Sequence, residues 1–296
     1  MIQVKINKAG WEYDIHSLVK AFYPEETVKV LTPESVEKKP AEKPLQTFTI
    51  TVEEKQITMK PEGGTLWTLN TADIERTAPA FKNEFKKFLY RSLSAYTGKK
   101  LPWGNLTGIR PTKIAMTMLE EGKEEAEVAA FFKQEHYVSQ EKTELAIDIA
   151  KREKAILSQI THDGYSLYIG IPFCPTTCLY CSFTSYPIAA FRERVETYID
   201  CLIREMQETA RICKDKVLDT VYIGGGTPTT LSASQLDRLI DKLGEFDIAN
   251  IREFTAEAGR PDTITEDKLR ALKNGGVRRI SINPQSMNDS VLEAVG

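Results

Sequence analysis

From residue 164 onward, short apolar runs alternate with stretches in which apolar residues recur every three or four positions. The first pattern is typical of buried strands and the second of amphipathic helices. Strands and helices that alternate over such short connections form parallel sheets with right-handed crossovers. The pattern therefore predicts four consecutive strand–helix units. Their strands are expected at Leu167–Ile171, Thr220–Ile223, Arg252–Ala256 and Arg279–Ile282.

Each predicted strand is followed by a loop and then by a helix. The second helix has the clearest beginning, because Ser232 and Gln235 form a capping-box pattern. The third is expected to end at the pair Gly275-Gly276. The four helices are expected from about Phe191 to Cys213, from Ser232, from Thr265 and near Val291.

The first 160 residues have a different pattern of apolar and polar positions. Several strand-like runs surround one helical pattern, and from Ala72 to about Gln159 the pattern is helical throughout. This predicts a small α+β domain over residues 1–160 and a second domain over residues 161–296. A charged, proline-containing loop is expected at 37–44. The strand-like runs are Ile2–Ile6, Thr27–Leu31, Thr47–Val52 and Gln56–Met59, and the helical pattern is Tyr13–Phe22.

Two apolar stripes are expected to anchor the helices of the first domain. In each stripe the apolar residues recur at the spacing that places them on one face of a helix. The stripes therefore predict which faces are buried. The first stripe comprises Phe81, Phe85, Phe88, Leu89 and Leu93, and the second comprises Leu145, Ile149, Ile156 and Leu157.

The composition is that of an ordinary soluble globular protein, with 41% hydrophobic and 27% charged residues. No apolar run is long enough for a membrane span, and the N-terminal sequence lacks a signal-peptide pattern. We therefore expect a cytoplasmic protein whose five cysteines are not disulfide-bonded. The net charge of −3 gives no general argument for nucleic-acid binding.

One segment departs from this balance. Between Phe81 and Lys113, eight basic residues accompany a single acidic one, so the segment carries a charge of +7 and the rest of the chain −10. Such a segment either binds an anionic partner, an RNA or a polycarboxylate substrate, or forms the solvated face of a helix. We favour the solvated face. The basic residues are Lys82, Lys86, Lys87, Arg91, Lys99, Lys100, Arg110 and Lys113.

Three of the five cysteines follow the first predicted strand of the second domain. Cys174, Cys178 and Cys181 have the spacing C-x3-C-x2-C, so one loop carries three thiols. A structural zinc site normally has four protein ligands, and the chain has no second cysteine pair that could complete one. A 4Fe–4S cluster is normally bound by four thiolates, so three would leave one iron for a ligand that is not protein. Cys201 and Cys213 lie on a predicted helix, and Cys213 is expected to be a small core residue.

The second predicted strand leads into three glycines, Gly224, Gly225 and Gly226, followed by Thr227-Pro228. Glycines allow the backbone to approach a ligand closely and to adopt positive φ angles. The residues that would make this a phosphate loop or a dinucleotide-binding loop are missing. A tight turn without a ligand is the other interpretation.

Together these motifs resemble the radical S-adenosylmethionine (SAM) superfamily. The stretches Y-I-G-I-P-F-C at 168–174 and G-G-G-T-P-T at 224–229 are most similar to the oxygen-independent coproporphyrinogen III oxidases. The stretches E-A-G-R-P at 257–261 and I-N-P-Q-S at 282–286 resemble the HemZ-type branch of that family. The resemblance covers residues 165–296. It implies an α/β fold, a partial (β/α) radical SAM barrel with the first four βα units of about six, after the small α+β domain.

This resemblance also implies that the chain is truncated at its C-terminus. The later strands and an arginine that binds the SAM carboxylate would lie beyond Gly296. The chain is then expected to hold the cluster, to bind SAM weakly, and not to turn over a substrate.

The resemblance assigns roles to individual residues. It implies that Cys174, Cys178 and Cys181 bind a 4Fe–4S cluster, with Tyr180 packed over it. It implies further that the glycine loop binds the methionine amino group of SAM, that Glu257 holds the same group, and that Gln285 lies near the SAM ribose. No catalytic residue is assigned. The expected SAM-binding residues are Tyr168, Gly224, Gly225, Gly226, Thr227, Glu257 and Gln285.

The chemistry implied by the resemblance is that of an oxidoreductase in porphyrin and haem biosynthesis. The reduced cluster cleaves SAM to a 5′-deoxyadenosyl radical, which takes a hydrogen atom from a propionate of coproporphyrinogen III. Loss of CO2 and an electron then leaves a vinyl group, and two rounds give protoporphyrinogen IX. The expected partners are the porphyrinogen and an electron donor such as flavodoxin or ferredoxin. Neither a membrane nor a nucleic acid is expected to be a partner.

Two positions depart from the oxidase pattern. Phe183 occupies the place of a fourth cysteine, and Gly170 occupies the place of a usual histidine. The phenylalanine also occurs in related haem chaperones, which bind haem on the same scaffold. The alternatives to a decarboxylating enzyme are therefore a haem chaperone and a radical SAM enzyme that acts on RNA, for which the basic segment is the only support.

Overall fold

In the computed structural model, the described residues are 1–35, 43–74 and 78–296. The chain divides into two units, Met1–Ser158 and Gln159–Gly296. Most of the charged loop expected at 37–44 lies outside the described residues. No helix of the described ranges combines the length and the apolar character that crossing a membrane requires.

The first unit contains a five-stranded sheet with the strand order β2-β1-β3-β4-β5. Strand β1 pairs in parallel with β2 and β3, while β4 and β5 continue the sheet antiparallel. Helix α1 (Glu12–Phe22) connects β1 to β2 and buries its apolar face, including Leu18 and Phe22. The strands are β1 (Ile2–Ile6), β2 (Val28–Leu31), β3 (Gln46–Val52), β4 (Gln56–Pro61) and β5 (Trp67–Asn70).

Four further helices complete this unit, and only one of the two expected stripes is buried. The stripe on α2 is confirmed, because Phe85, Phe88, Leu89 and Leu93 are buried. The prediction that the second stripe is buried is wrong, since Leu145, Ile156 and Leu157 on α5 are exposed. Helix α5 instead buries Ala146, Ile147 and Ala150 in the core that it shares with α3 and α4, where the two alanines allow close packing. The helices are α2 (Ala78–Thr97), α3 (Pro111–Glu120), α4 (Glu125–His136) and α5 (Gln140–Leu157).

The second unit is built on a parallel sheet with the order β11-β10-β9-β6, which confirms the predicted sheet. Its register brings the carboxyl ends of the strands to one edge, because Ile171 pairs with Gly225 and Glu257 with Ser281. The strands are β6 (Tyr165–Ile171), β9 (Leu218–Gly225), β10 (Glu253–Glu257) and β11 (Arg279–Ser281). A separate two-residue ladder joins β7 (Phe173–Cys174) to β8 (Tyr186–Pro187).

The helices of this unit pack on the sheet through apolar stripes. The buried residues Ile199 on α7 and Leu236 on α8 belong to the same core as Val221 and Phe254 of the strands. The capping box at the start of α8 is confirmed, since Ser232 Oγ accepts a hydrogen bond from the Gln235 amide at 3.2 Å. The helices are α6 (Ile188–Phe191), α7 (Val195–Ile212), α8 (Ala233–Asp241), α9 (Glu266–Asn274) and α10 (Asp289–Val295).

The helix expected from Phe191 to Cys213 is not continuous. Helix α6 is followed by a 3₁₀ turn at Arg192–Arg194 before α7 begins. Cys213 lies one residue beyond α7 and is half-buried, so its assignment as a core residue is wrong. Met206 is the last fully buried residue of the apolar stripe, Ala210 packs against the core while partly buried, and the helix ends at Ile212, before the cysteine.

A buried carboxylate ties the approach to β6 to the start of β9. The Asp219 side chain is 2% exposed and accepts hydrogen bonds from the Thr161 amide at 3.1 Å and from the Thr161 hydroxyl at 2.9 Å. Arg252 Nε donates a third at 3.2 Å. Burial by itself would raise the pKa of Asp219, but these hydrogen bonds outweigh it and hold that pKa below its usual value. Gly164 makes room for this carboxylate, because a Cβ there would lie 2.0 Å from Asp219 Oδ2.

We therefore expect Gly164→Ala to destabilise the second unit by about 1–3 kcal/mol, since the methyl group would displace the Asp219 carboxylate from its donors. Chemical denaturation of the two proteins measures this difference. Gly244→Ala is the matched control, because a Cβ at Gly244 meets no atom within 4 Å. Equal unfolding midpoints for Gly164→Ala and the control would contradict the role of Gly164.

Candidate functional site

A cleft of about 490 Å³ opens at the edge where the parallel strands end. Every loop that follows a strand of the sheet contributes side chains to it. Of the expected cluster-binding and SAM-binding residues, all but Gly224 line this cleft; Gly224 is buried within β9. The lining residues among them are Tyr168, Cys174, Cys178, Cys181, Gly225, Gly226, Thr227, Glu257 and Gln285.

The cysteine loop is fixed at both ends. The ladder between β7 and β8 closes it, and the Tyr186 amide donates to the Pro172 carbonyl at 2.8 Å. The glycine loop is bonded to its beginning, because the Gly226 amide donates to the Ile171 carbonyl at 2.7 Å and the Thr227 amide to the Phe173 carbonyl at 2.8 Å. The two loops therefore form one bonded assembly on the sheet edge.

Each cysteine thiol contacts a different polar group. Cys174 Sγ lies 3.4 Å from the Thr227 hydroxyl, and Cys181 Sγ lies 3.7 Å from the Ser185 hydroxyl. Burial raises the pKa of the Cys174 thiol, and the neighbouring Cys181 and Cys178 thiols raise it further, while the Thr227 hydroxyl opposes this. A metal that binds Cys174 as a thiolate must therefore displace its proton.

Within the described ranges, no three His, Cys, Asp or Glu side chains already converge as ligands of a single ion. The three thiols line the same cleft without meeting at one point. A cubane cluster does not need that arrangement, because its thiolates bind separate iron atoms. The donor set, three thiols on one loop of the cleft, is of the kind that binds an iron–sulfur cluster.

The three glycines have three different steric roles. Gly225 has a φ of +115°, and a Cβ there would lie 2.9 Å from the Ile171 carbonyl oxygen. A side chain at Gly225 would therefore meet the backbone of β6. A Cβ on Gly226 would lie 2.9 Å from Cys174 Sγ. A Cβ on Gly224 would lie 2.7 Å from the Tyr222 ring.

A tyrosine that the sequence analysis did not consider positions Glu257. The Tyr222 hydroxyl donates to Glu257 Oε1 at 2.6 Å, and this hydrogen bond together with burial raises the pKa of Tyr222 to about 12. Tyr168 stacks on Tyr222 with 5.8 Å between ring centroids. The available signal was the two-residue period of a strand, which places Tyr222 on the same face as Gly224.

An arginine was also missed, although it lies within the motif at 257–261. Two nitrogens of Arg260 bind Asp262 at 3.1 Å each, so the guanidinium is held in one orientation. The remaining nitrogen, Nη1, donates to the Thr176 hydroxyl at 3.1 Å and to Cys178 Sγ at 3.7 Å. Arg260 therefore brings a fixed positive charge to the cysteine loop.

Gln285 and Tyr180 are joined by a hydrogen bond. The Tyr180 hydroxyl donates to Gln285 Oε1 at 2.6 Å, and the Tyr180 side chain is 58% exposed. Gln285 has a φ of +60°, a conformation uncommon for residues other than glycine. Such backbone conformations are concentrated at functional sites. The contact links the cysteine loop to the loop after β11.

Comparison with known proteins places the cleft in a family. Residues 168–296 match the Radical SAM superfamily. Over 221 residues the chain is 42% identical to the oxygen-independent coproporphyrinogen-III oxidase-like protein HemZ of Bacillus subtilis (strain 168), which covers 73% of this chain and 44% of HemZ. Over 133 residues it is 40% identical to the heme chaperone HemW of the same organism, covering 44% of this chain and 34% of HemW.

Among solved structures, the coproporphyrinogen III oxidase HemN from Escherichia coli, a radical SAM enzyme, aligns with a TM-score of 0.42 and 28% identity. That alignment covers 49% of this chain and 33% of HemN. The chain thus spans less than half the length of each of these three proteins.

The superfamily match contains the carboxyl ends of all four parallel strands and every loop that lines the cleft. The four βα units form part of a (β/α) barrel. Residues 168–296 therefore form a radical SAM domain.

Proposed function

We propose that this protein is a radical SAM oxidoreductase that oxidatively decarboxylates two propionates of coproporphyrinogen III to vinyl groups, giving protoporphyrinogen IX. The observation that carries the proposal is one cleft in which three cysteine thiols, a glycine loop and Glu257 meet. Superfamily membership implies SAM and a 4Fe–4S cluster as cofactors. The name of the HemZ relative supports the porphyrinogen substrate. An electron donor of the flavodoxin or ferredoxin kind would supply the cluster.

The residues of the cleft fit these cofactors. Cys174, Cys178 and Cys181 would hold the cluster, which leaves one iron for SAM. Gly226 leaves the space that Cys174 Sγ occupies, so the glycine loop and the cysteine loop fit together only without a side chain there. When bound, the cluster and SAM supply one-electron chemistry and the abstraction of a hydrogen atom, while the protein supplies binding and orientation.

The other residues orient SAM. The carboxylate of Glu257, held by Tyr222, would accept hydrogen bonds from the methionine ammonium group. Gln285 is held by Tyr180 and would lie beside the ribose. Tyr168 and Thr227 would complete the SAM site along the cleft wall.

A haem chaperone is the second candidate. The observation that favours it is Phe183, which lines the cleft at the place where the oxidases carry a fourth cysteine and is 78% exposed. The HemW relative, named a heme chaperone, supports the same reading. An exposed aromatic side chain beside the cleft could stack on a flat macrocycle in either function.

Anaerobic incubation of the full-length protein, reconstituted with iron and sulfide, with SAM, a reductant and coproporphyrinogen III distinguishes the two functions. If the protein is the oxidase, CO2 is released and the product carries two vinyl groups. Stoichiometric haem binding without decarboxylation would instead support the chaperone.

The cluster assignment rests on three cysteines and predicts a selective effect. Changing Cys174, Cys178 or Cys181 to alanine is expected to abolish the broad visible absorbance and most of the bound iron of an anaerobically reconstituted sample. Cys201→Ala and Cys213→Ala are the controls, because neither residue lines the cleft, and both should retain iron. Loss of the cluster in Cys201→Ala but not in Cys178→Ala would refute the assignment.

The role of Glu257 predicts two measurable changes in Glu257→Gln. A hydrogen bond to a charged group contributes about 1.5–3 kcal/mol, so SAM affinity should fall roughly 10- to 100-fold at unchanged iron content. In the protein without SAM, the pKa of Tyr222 should fall from about 12 toward 10, measured by ultraviolet titration of tyrosinate.

Glu253→Gln is the matched control for Glu257→Gln. Glu253 lies on the same strand, but its carboxylate accepts hydrogen bonds from Thr255 and Arg279 rather than facing the cleft. Its replacement should leave both SAM affinity and the titration of Tyr222 unchanged. Wild-type SAM affinity in Glu257→Gln would exclude the carboxylate as a SAM ligand.

A further inference from the structure

The first unit contains a cleft of its own, with a volume of about 370 Å³. It lies between α1, the middle of α2, the turn at 105–109 and the end of α4. One wall is the basic segment noted in the sequence, represented by Lys82, Lys86 and Lys87. The superfamily match begins at residue 168 and does not include this region.

Two of these three lysines are neutralised within the protein. Lys82 forms an ion pair with the buried carboxylate of Asp14 at 2.8 Å. Lys87 forms ion pairs with Glu84, at 2.7 Å, and with Glu135. All three pairs are intramolecular, so neither lysine is free to serve as a counter-charge for a ligand.

Lys86 differs from both neighbours. Its ammonium group donates only to the Thr107 hydroxyl, at 3.4 Å, and no carboxylate of the described residues lies within ion-pair distance of it. The side chain is half-buried. Burial lowers the pKa of Lys86, with Asp14 opposing the effect and Lys82 adding to it. An ammonium group that has lost hydration without gaining a counter-charge is costly, and a bound anion would remove that cost.

His136 and Asn105 form another part of the cleft wall. His136 Nδ1 lies 2.9 Å from Asn105 Oδ1, and the Asn105 side chain is buried. Burial lowers the pKa of His136, Glu135 opposes this, and Lys86 and Lys87 lower the pKa. The ammonium group of Lys86 therefore acts within the same cleft as the imidazole.

The turn at 107–109 adds hydrogen-bond donors to the same cleft. Among the described residues, the backbone amides of Thr107, Gly108 and Ile109 have no hydrogen-bond acceptor. Gly108 has a φ of +67°, and a Cβ there would lie 2.4 Å from the Tyr13 hydroxyl oxygen. Successive free amides beside a glycine with positive φ are a common setting for anion binding. The Thr107 hydroxyl is a further donor at the same place.

We propose that this cleft binds the oxyanion group, phosphate or carboxylate, of a small molecule. Lys86 would supply the counter-charge, and the Thr107 hydroxyl and the amides at 107–109 would supply hydrogen bonds. A small anion is favoured over an RNA backbone, because RNA binding uses several free cations and the lysines on both sides of Lys86 are already paired. The inference is independent of the cluster and SAM site, since every residue it uses lies in Met1–Ser158.

Competitive chemical labelling of the whole protein tests this proposal. The protein is treated with a trace of acetic anhydride at mildly alkaline pH, and acetylation of each lysine is followed by peptide mass spectrometry. Inorganic phosphate or succinate is added at constant ionic strength, balanced with sodium chloride. At a ligand concentration ten times the dissociation constant, acetylation of Lys86 should slow about tenfold, because only about a tenth of the sites stay free. The anion that protects Lys86 at the lower concentration shows whether phosphate or carboxylate is the preferred group.

Lys113 is the internal control, since it belongs to the same basic segment, is exposed, and does not line the cleft. Its acetylation should not respond to either anion. Failure of both anions to protect Lys86, or equal slowing at Lys113, would overturn the proposal. Lys86→Met should abolish binding of the protecting anion in calorimetry, whereas Lys113→Met should retain it. Labelling of the wild-type protein tests anion binding by itself, even if Lys86→Met folds poorly.

Discussion

Two backbone hydrogen bonds hold the candidate site together: the Gly226 amide to the Ile171 carbonyl and the Thr227 amide to the Phe173 carbonyl. They extend the pairing of β6 with β9 beyond the sheet and into the loops that carry the thiols and the glycines. This extension is possible only because the backbones approach so closely that a side chain at Gly225 or Gly226 would collide with the opposite loop. The cleft therefore depends on the absence of a side chain at Gly225 and at Gly226.

The order of the strands, their parallel pairing and the position of the motifs at their ends could be predicted from the sequence. These features depend on local spacing and on the short crossovers, both of which are visible in a linear sequence. The burial of α5 could not be predicted in the same way. Leu145 and Ile156 are exposed, while Ala146, Ile147 and Ala150 are buried. The partner helices decide which face is buried, and spacing along α5 alone does not contain that information.

Within the site, the sequence indicated the cysteines and Glu257 but not the residues that position them. Tyr222 binds a carboxylate 35 residues away, and Arg260 contacts a thiol 82 residues away. Such contacts depend on the register of the sheet and on the path of a loop. Neither can be predicted from the local sequence pattern. Tyr222 and Arg260 carry no motif of their own. Their types are common at strand ends and on protein surfaces, so only their neighbours in the fold distinguish them.

The ladder between β7 and β8 has a consequence for the kinetics of metal incorporation. It joins the two ends of the cysteine loop, while Leu179, in the middle of the loop, is 81% exposed. Closure at the base removes the entropic cost of bringing the ends of the loop together, while the residues between them can open locally without loss of the sheet. Iron and sulfide could therefore enter a folded protein. The backbone amides in the middle of this loop should exchange with solvent faster than those of β6 and β9, and slow down once a cluster is present.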